Sequence, residues 1–139
     1  MGVHQEDITL AATAGTDVHD LTPEVRRVVA RSGVSQGQVL VFVPGSTGAL
    51  TTIEYESGVI EDLIRAVDRL VPRDMHYDHD ARWGDGNGYA HVRAALFKPS
   101  LTLPVHGGEV VLGVWQQVVL LDFDNRPRQR RVLVQVMGE

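Results

Sequence analysis

Cysteine is absent from the sequence, and this absence sets the first limits on function. Without cysteine the chain has neither disulfides nor thiolate ligands for a metal. The absence also fits a reducing compartment. The N-terminal segment MGVHQEDITL lacks a basic stretch followed by an apolar run, so it does not resemble a signal peptide. We therefore expect a cytoplasmic protein.

Long apolar runs are missing as well. No apolar stretch approaches the roughly 18 residues that suggest a membrane span. The net charge of −5 argues against bulk binding to nucleic acid or anionic membranes. Strand alternation divides the C-terminal arginines between two faces, and no aromatic residues lie among them for base stacking. We expect neither a membrane nor a nucleic acid as partner. The arginines considered are Arg126, Arg128, Arg130 and Arg131.

The residues that are present have an ordinary globular composition. Hydrophobic residues make up 43% and charged residues 22% of the 139-residue chain. A chain of this length buries roughly 68–70% of its unfolded surface, which is enough for a core without disulfides or metals. No repeat, linker or low-complexity segment divides the sequence. We predict one domain over residues 1–139.

Helix and strand patterns along the chain predict an α+β fold. The clearest helices are expected at residues 21–34 and 57–72. In the first, Thr22 is placed to cap the helix and Gly33 follows its end. In the second, apolar residues recur at the 3.6-residue period and Pro72 ends the helix. A short helix is expected at 91–99, and strands at 7–13, 38–44, 49–56, 101–105, 109–123 and 128–137.

The densest group of polar side chains lies in YDHDARWGDGNGYAH, residues 77–91, which we predict to be a loop. His79, Asp85 and His91 are spaced six residues apart around its glycines. Two imidazoles and a carboxylate can bind a divalent ion such as Mg²⁺, Mn²⁺ or Zn²⁺ and leave coordination positions open. On these residues alone an alternative remains. The aspartates can simply cap turns, and His91 can simply begin a helix.

A second polar segment, PGSTGALT, follows a predicted buried strand. Gly45, Ser46, Thr47 and Gly48 offer backbone N–H groups and two hydroxyls that can surround an anion such as a phosphate. The segment lacks the Gly-Lys-Ser/Thr of a Walker motif. A tight β-turn without a ligand is the alternative.

Two glutamates in the next predicted strand form a third candidate. Glu54 and Glu56 are two residues apart, so they share one face of a strand. A carboxylate that faces inward needs a partner or a metal, which makes Glu54 a candidate site residue. The alternative is that both carboxylates face solvent.

The C-terminal half carries a motif that resembles the YjbQ-like family. The family pattern is a serine, two residues, an aliphatic, one residue, an aliphatic, two residues, a glycine, four residues and then Gly-Thr-Trp-Gln. Here the segment reads SLTLPVHGGEVVLGVWQQV, with Val114 in place of the threonine. The Tyr77, His79 and Asp80 step and the GDGNG stretch that leads to His91 match one branch of the family. The motif residues are Ser100, Leu103, Val105, Gly108, Gly113, Trp115, Gln116 and Val118.

This resemblance covers almost the whole chain and implies both a fold and an activity. The implied fold is α+β, with a mostly antiparallel sheet curled into a partial barrel and helices packed outside, in a homotrimer. The family is also known as secondary thiamine-phosphate synthases. The implied reaction joins an aminopyrimidine pyrophosphate to a thiazole phosphate and releases pyrophosphate. The label "secondary" implies that this activity can be incidental to another one.

The resemblance also implies roles for the polar residues, with a small phosphorylated metabolite as the partner. One departure bears on these roles, because many members carry a histidine where this chain has Gly45. The alternative is a trimer that binds a metal or a phosphorylated metabolite without turnover, or one that is purely structural. The expected metal ligands are His79, Asp85 and His91. The expected catalytic residues are Glu54, His79, Asp85 and His91, and the expected phosphate- or substrate-binding residues are Gly45, Ser46, Thr47, Gly48 and Asn87.

Overall fold

The computed structural model describes residues 1–12 and 15–139 of the chain, which form eight strands and four helices. Thr13, the last residue of one predicted strand, lies outside the described residues. In chain order the elements are β1 (Gly2–Ala12), β2 (Asp17–Asp20), α1 (Thr22–Ser32), β3 (Gln36–Phe42), β4 (Gly48–Ile53), α2 (Ser57–Leu70), α3 (Asp78–Trp83), α4 (Gly88–Phe97), β5 (Ser100–His106), β6 (Glu109–Val110), β7 (Gln117–Asp122) and β8 (Arg128–Gly138).

The strands form two antiparallel sheets. The larger sheet has the order β1-β8-β3-β5-β6 and the smaller one the order β2-β7-β4. Each pairing between neighbouring strands is antiparallel, and the sheets curl into a half-barrel. The predicted α+β class with a curled, mostly antiparallel sheet is confirmed. None of the helices in the described ranges has the length and apolar content needed to cross a membrane.

Strand β7 lies between two hydrophobic cores. Val118 and Leu120 face a core shared with α1 and the inner faces of β3 and β8. Val119 and Leu121 face a second core formed with α2 and α4. Because side chains alternate along a strand, a strand buried on both faces must be apolar at nearly every position. This arrangement explains why the run VVLL is apolar throughout. The end of β7 at Asp122 is also buried in the interior.

The stretch predicted to be a loop, residues 77–91, instead contains α3 and the start of α4. Helix α3 ends at Gly84, whose φ of 73° is left-handed and favours glycine. The start of α4 packs directly on Tyr77, since a Cβ at Gly88 would lie 2.7 Å from the Tyr77 Cβ. The prediction was wrong because α3 has only six residues and no apolar period, so its helical signals were limited to its ends.

The strand predicted at 49–56 is also shorter than expected, because β4 ends at Ile53. Glu56 is the N-cap of α2, where its carboxylate accepts hydrogen bonds from the backbone N–H groups of Gly58 and Val59. These two hydrogen bonds lower the pKa of Glu56. Glu54 and Glu56 therefore do not share one face of a strand, and the expectation that they do is wrong.

Two further boundaries differ from the sequence prediction. Thr22 does not cap α1, because the N-cap position is Leu21. The Thr22 Oγ1 instead accepts a hydrogen bond of 2.9 Å from the backbone N–H of Val118, which ties α1 to β7. The strand predicted at 109–123 is interrupted after Val110, and β7 begins only at Gln117. The intervening turn contains Gly113, whose N–H donates to the Gln116 side chain.

The close approach of β3 and β8 leads to a stability prediction. A Cβ at Gly37 would lie 2.0 Å from the Met137 carbonyl oxygen, so Gly37→Ala must push two paired strands apart. We expect the free energy of unfolding to fall by about 3 kcal/mol, as in severe overpacking. Urea unfolding at a fixed protein concentration measures the change.

The control for this prediction is Gly2→Ala. Gly2 and Gly37 both pair with Gly138, but a Cβ at Gly2 meets no atom within 4 Å. Its stability should stay close to that of the wild type. Equal losses in the two variants would show that close strand contact at Gly37 is not the cause.

Candidate functional site

A cavity of about 390 Å³ opens between the β3–β4 turn, the α3–α4 segment and the start of β8. It brings together seven of the sequence candidates that are far apart along the chain. To these it adds Trp83 and two arginines of β8. The lining residues are Gly45, Ser46, Thr47, His79, Trp83, Asp85, Asn87, His91, Arg128 and Arg130.

His79 and Asp85 line one side of the cavity, and together with Asp80 they form a compact group of side chains of the types that bind metals. One ligand atom from each lies within 4.8 Å of the other two. The His79 Nδ1 is 3.7 Å from an Asp80 oxygen and 3.6 Å from an Asp85 oxygen. This Nδ1 is buried and has no hydrogen-bond partner among the described residues. Ligand atoms about 2.0–2.2 Å from an ion lie roughly 3.0–3.6 Å apart, so this set fits a divalent cation after a small closing motion.

The set differs in one member from the sequence prediction, which had His91 rather than Asp80. The His91 ring lies 4.3 Å from the His79 ring, centroid to centroid, and is tilted from it by 38°. Burial lowers the pKa of His91, and the neighbouring His79 lowers it further, while Asp85 and Asp124 partly oppose the shift. This shift favours the neutral form of His91, which lies beside the candidate metal ligands His79 and Asp85.

Hydrogen bonds from Gly88 and Asn125 hold Asp80 and Asp85 in position. An Asp80 carboxylate oxygen accepts a hydrogen bond of 2.8 Å from the Gly88 backbone N–H, which joins α3 to the start of α4. The Asn125 side chain donates a hydrogen bond of 2.9 Å to the Asp85 carbonyl oxygen. Asn125 lies in the β7–β8 turn, so this turn fixes the position of the Asp85 segment.

The opposite side of the cavity carries Thr47, Arg128 and Arg130, which take part in an ion-pair network with two buried aspartates. Arg130 donates to both carboxylate oxygens of Asp122, with distances of 2.9 and 3.0 Å. Arg130 also donates to the Thr47 hydroxyl at 2.8 Å, and this hydroxyl donates to Asp124 at 2.9 Å. Arg128 donates to Asp124 through its Nε. We call these five residues the arginine–aspartate network.

The Asp124 carboxylate remains ionised although it is fully buried. Burial by itself raises the pKa of Asp124, but four hydrogen bonds lower it and outweigh burial. They come from the side chains of Thr47, Arg128 and Asn87 and from the Asn125 backbone. The Asn87 side-chain oxygen is itself buried without a partner among the described residues, so it is free to accept a hydrogen bond.

Four residues of the network are absent from the site predicted from the sequence: Asp122, Asp124, Arg128 and Arg130. Two weak signals for them were present. An apolar strand ended in two acidic residues, and two arginines two positions apart shared one face of the next strand. Neither signal showed that these charges meet, because that contact depends on how the two sheets pack.

Two sequence candidates do not line the cavity. Gly48 lies beneath Arg130, where a Cβ would be 3.4 Å from the guanidinium carbon, so it makes room for the arginine instead of facing a ligand. Glu54 lines a separate pocket with Tyr55 and Trp115. Glu54, which was expected among the catalytic residues, therefore does not lie in this cavity. The physical reason is that β4 ends before Glu54 and the chain turns there into α2.

Known proteins with similar sequences show the family of this chain. The sequence model of the family described as UPF0047 protein YjbQ-like matches residues 6–139. The chain belongs to this family. A UPF0047 protein of Archaeoglobus fulgidus is 37% identical over 131 residues, which cover 94% of this chain and 99% of the relative. A UPF0047 protein of Synechocystis sp., sll1880, is 38% identical over 138 residues, with 98% and 92% covered.

A solved structure of a similar protein has the same fold. A crystal structure of a YbjQ-like protein of unknown function from Sulfolobus solfataricus has a TM-score of 0.95 to this chain. The two are 29% identical in sequence, and the match covers 99% of both chains. The family resemblance seen in the sequence is confirmed, and the function has to be argued from the cavity.

The lowered pKa of His91 predicts a pH-dependent stability. Because its pKa lies below the usual 6.5 in the folded state, the unfolded state binds more protons as the pH falls. Stability is therefore lost as the pH drops from about 6.5 through the folded pKa. His91→Gln removes this titration, so urea unfolding at about pH 7.5 and 5.5 should show a smaller difference than in the wild type.

His76→Gln serves as the control for this measurement. His76 lies in the same part of the chain but is exposed, and its ion-pair partner among the described residues is Asp78. It should keep the pH dependence of the wild type. If His91→Gln keeps it as well, burial of His91 in the cavity does not determine the acid sensitivity.

Proposed function

We propose that this chain is a metal-dependent transferase that makes thiamine phosphate from an aminopyrimidine pyrophosphate and a thiazole phosphate. The observation that supports the proposal is that candidate metal ligands, His79 and Asp85, and two arginines line one cavity of about 390 Å³. A substrate with a pyrophosphate needs both. Oxygen and imidazole ligands suit a divalent cation, and guanidinium groups suit phosphate oxygens.

The reaction asks for positioning and charge stabilisation rather than covalent catalysis. The thiazole nitrogen attacks the pyrimidine methylene carbon, a C–N bond forms, and the C–O bond to pyrophosphate breaks. The electron pair of that bond leaves on the pyrophosphate oxygen. A divalent cation held by His79, Asp80 and Asp85 would supply positive charge for this leaving group. The rest of the cavity orients the two substrates.

The remaining lining residues have chemically suitable roles. Arg128 and the Ser46 hydroxyl can donate hydrogen bonds to phosphate oxygens. The unpaired side-chain oxygen of Asn87 can accept a hydrogen bond from the amino group of the pyrimidine. Gly45 in place of a histidine does not prevent the reaction. The attacking thiazole nitrogen carries no proton, so the bond-forming step needs no base at this position.

A second use of the same cavity is binding without turnover. The exposed position of Trp83, with 68% of its surface accessible on the cavity rim, favours this alternative. A single chain does not close the cavity, and an activated pyrimidine needs protection from water. The binding protein would hold a metal ion and a phosphorylated metabolite on the same residues.

The transferase proposal predicts a specific effect of Asp85→Asn. The change keeps the shape of the side chain but removes the ligand charge, so formation of thiamine phosphate should fall about 10²–10³-fold. Purified protein is incubated with both precursors and Mg²⁺ or Mn²⁺, and the product is followed by fluorescence after oxidation. Addition of EDTA should also stop the reaction.

The matched control is Asp78→Asn. Asp78 carries the same charge in the same segment but is exposed and lies outside the cavity. Its activity should equal that of the wild type. If the wild type gives no product, or if Asp85→Asn is fully active, the transferase proposal is contradicted. The proposal of a binding protein without turnover then takes its place.

We also propose that the chain assembles as a homotrimer. The proposal is supported by large apolar side chains that are exposed on the single chain. Val92 and Leu96 lie on α4, and Val114 and Trp115 lie in the segment before β7. Exposed apolar surface of this kind is typical of protein–protein contact sites when it forms a patch. A neighbouring chain on α4 would also help to cover the cavity that α4 lines.

Light scattering coupled to size exclusion tests the assembly. We expect a mass three times that of the 15.3 kDa chain. Leu96→Asp should shift the mass toward the monomer if α4 forms the contact, because a buried unpaired carboxylate is costly. A monomeric wild type at micromolar concentration would contradict the trimer.

A further inference from the structure

Arg130 leaves one edge of its guanidinium without a partner among the described residues. Its Nε and Nη2 donate to Asp122, and Nη2 also donates to Thr47. Its Nη1 makes no hydrogen bond to any residue that the structure describes. The side chain is only 6% exposed, yet Arg130 lines the cavity. A rigid, buried cation thus presents a single free N–H edge to the cavity.

Gly45 keeps the space in front of this edge open. A Cβ built at Gly45 would lie 3.1 Å from the Arg130 Nη1, which is tighter than ordinary contact. Any side chain at this position would therefore press on Nη1. The backbone of Gly45 has a φ of 120°, a conformation that other residues rarely adopt. The glycine both permits the turn and leaves a gap above the guanidinium.

The arginines of the network line the cavity, whereas its aspartates do not. Asp122 and Asp124 are fully buried, and neither lines the cavity. Arg128 and Arg130 do line it. The aspartates thus balance and orient the guanidinium groups from behind. A ligand in the cavity meets the N–H groups without direct contact with the carboxylates.

A third donor lies at the same turn. The Ser46 side chain is exposed to the cavity and makes no hydrogen bond to another described residue. Donors from Ser46, Arg128 and Arg130 therefore line the same cavity as Gly45. A terminal phosphoryl group offers three oxygens to such a set, whereas a carboxylate offers two. Charge-assisted hydrogen bonds from guanidinium to phosphate are among the stronger ones in proteins.

We propose that the gap above Gly45 is a subsite for a terminal phosphoryl group, bound by the Arg130 Nη1 with help from Arg128 and Ser46. Gly45 determines the specificity of this subsite, since a side chain there would occupy the position of the phosphoryl group. The inference rests on the proposed placement of function in this cavity. It requires neither a metal ion nor turnover, because the metal ligands lie on the opposite side.

Calorimetric titration with inorganic phosphate and with pyrophosphate, in EDTA and at constant ionic strength, tests the subsite. The wild type should bind each with one site per chain, and acetate should bind at least about tenfold more weakly because it lacks the third oxygen. Gly45→Ala should weaken phosphate binding at least about tenfold, because its methyl group lies against Nη1. Equal affinity of Gly45→Ala and the wild type would overturn the proposal, as would equal affinity for acetate and phosphate.

Gly33→Ala controls for backbone strain. Gly33 has a φ of 71°, and a Cβ there meets no atom within 4 Å. It introduces left-handed strain far from the cavity, so its phosphate affinity should stay unchanged. A loss in Gly33→Ala equal to that in Gly45→Ala would assign the effect to strain and overturn the subsite.

A double variant removes the arginine together with its carboxylate partner, so that neither charge is left buried and unpaired. The single variant of the carboxylate serves as its comparison. Arg130→Gln combined with Asp122→Asn should abolish phosphate binding, whereas Asp122→Asn alone should keep or strengthen it. Circular dichroism confirms that each variant is folded. Metal-free phosphate binding without any thiamine-phosphate synthesis would contradict only the proposed reaction. Synthesis by the wild type without metal-free phosphate binding would overturn only the subsite.

Discussion

The pairing of Arg130 with Asp122 joins the two sheets next to the candidate site. Asp122 lies in the smaller sheet and Arg130 in the larger one, so their two hydrogen bonds join the sheets. Thr47 and Asp124 extend the connection to the β3–β4 turn. Removing one partner of such a buried pair typically costs about 3–5 kcal/mol, because the other charge is left unpaired. The cavity opens directly beside this junction.

The two sides of the cavity depend on different kinds of structure. The arginines and their aspartates lie at strand ends, where the sheet pairings set their spacing. The imidazole and carboxylates of the opposite side come from α3 and the turn after it. Asn125 connects the two sides through its hydrogen bond to the Asp85 carbonyl oxygen. A ligand that carries both a divalent cation and phosphate groups matches this division of charge.

Much of the fold could be predicted because its signals are local. The period of apolar residues in α2, the left-handed Gly33 after α1 and the apolar strands all follow from short-range physics. Boundaries were less predictable where a single side chain decided them. The carboxylate of Glu56 ends the strand pattern by capping α2. Because the strand ends before this cap, Glu54 lies outside β4 and does not line the cavity.

The sequence by itself determined the family, most of the element types and the two polar segments that line the cavity. It did so because motif spacing, glycine turns and periodicity are properties of neighbouring residues. Only the tertiary structure decided which charges meet. Thr47 and Arg130 are 83 positions apart, and their contact exists because the two sheets pack together. The same packing placed Asp122 and Asp124 behind the arginines, where both carboxylates are fully buried. No local pattern contains that information, since the free energy of a buried charge depends on partners that folding brings from elsewhere in the chain.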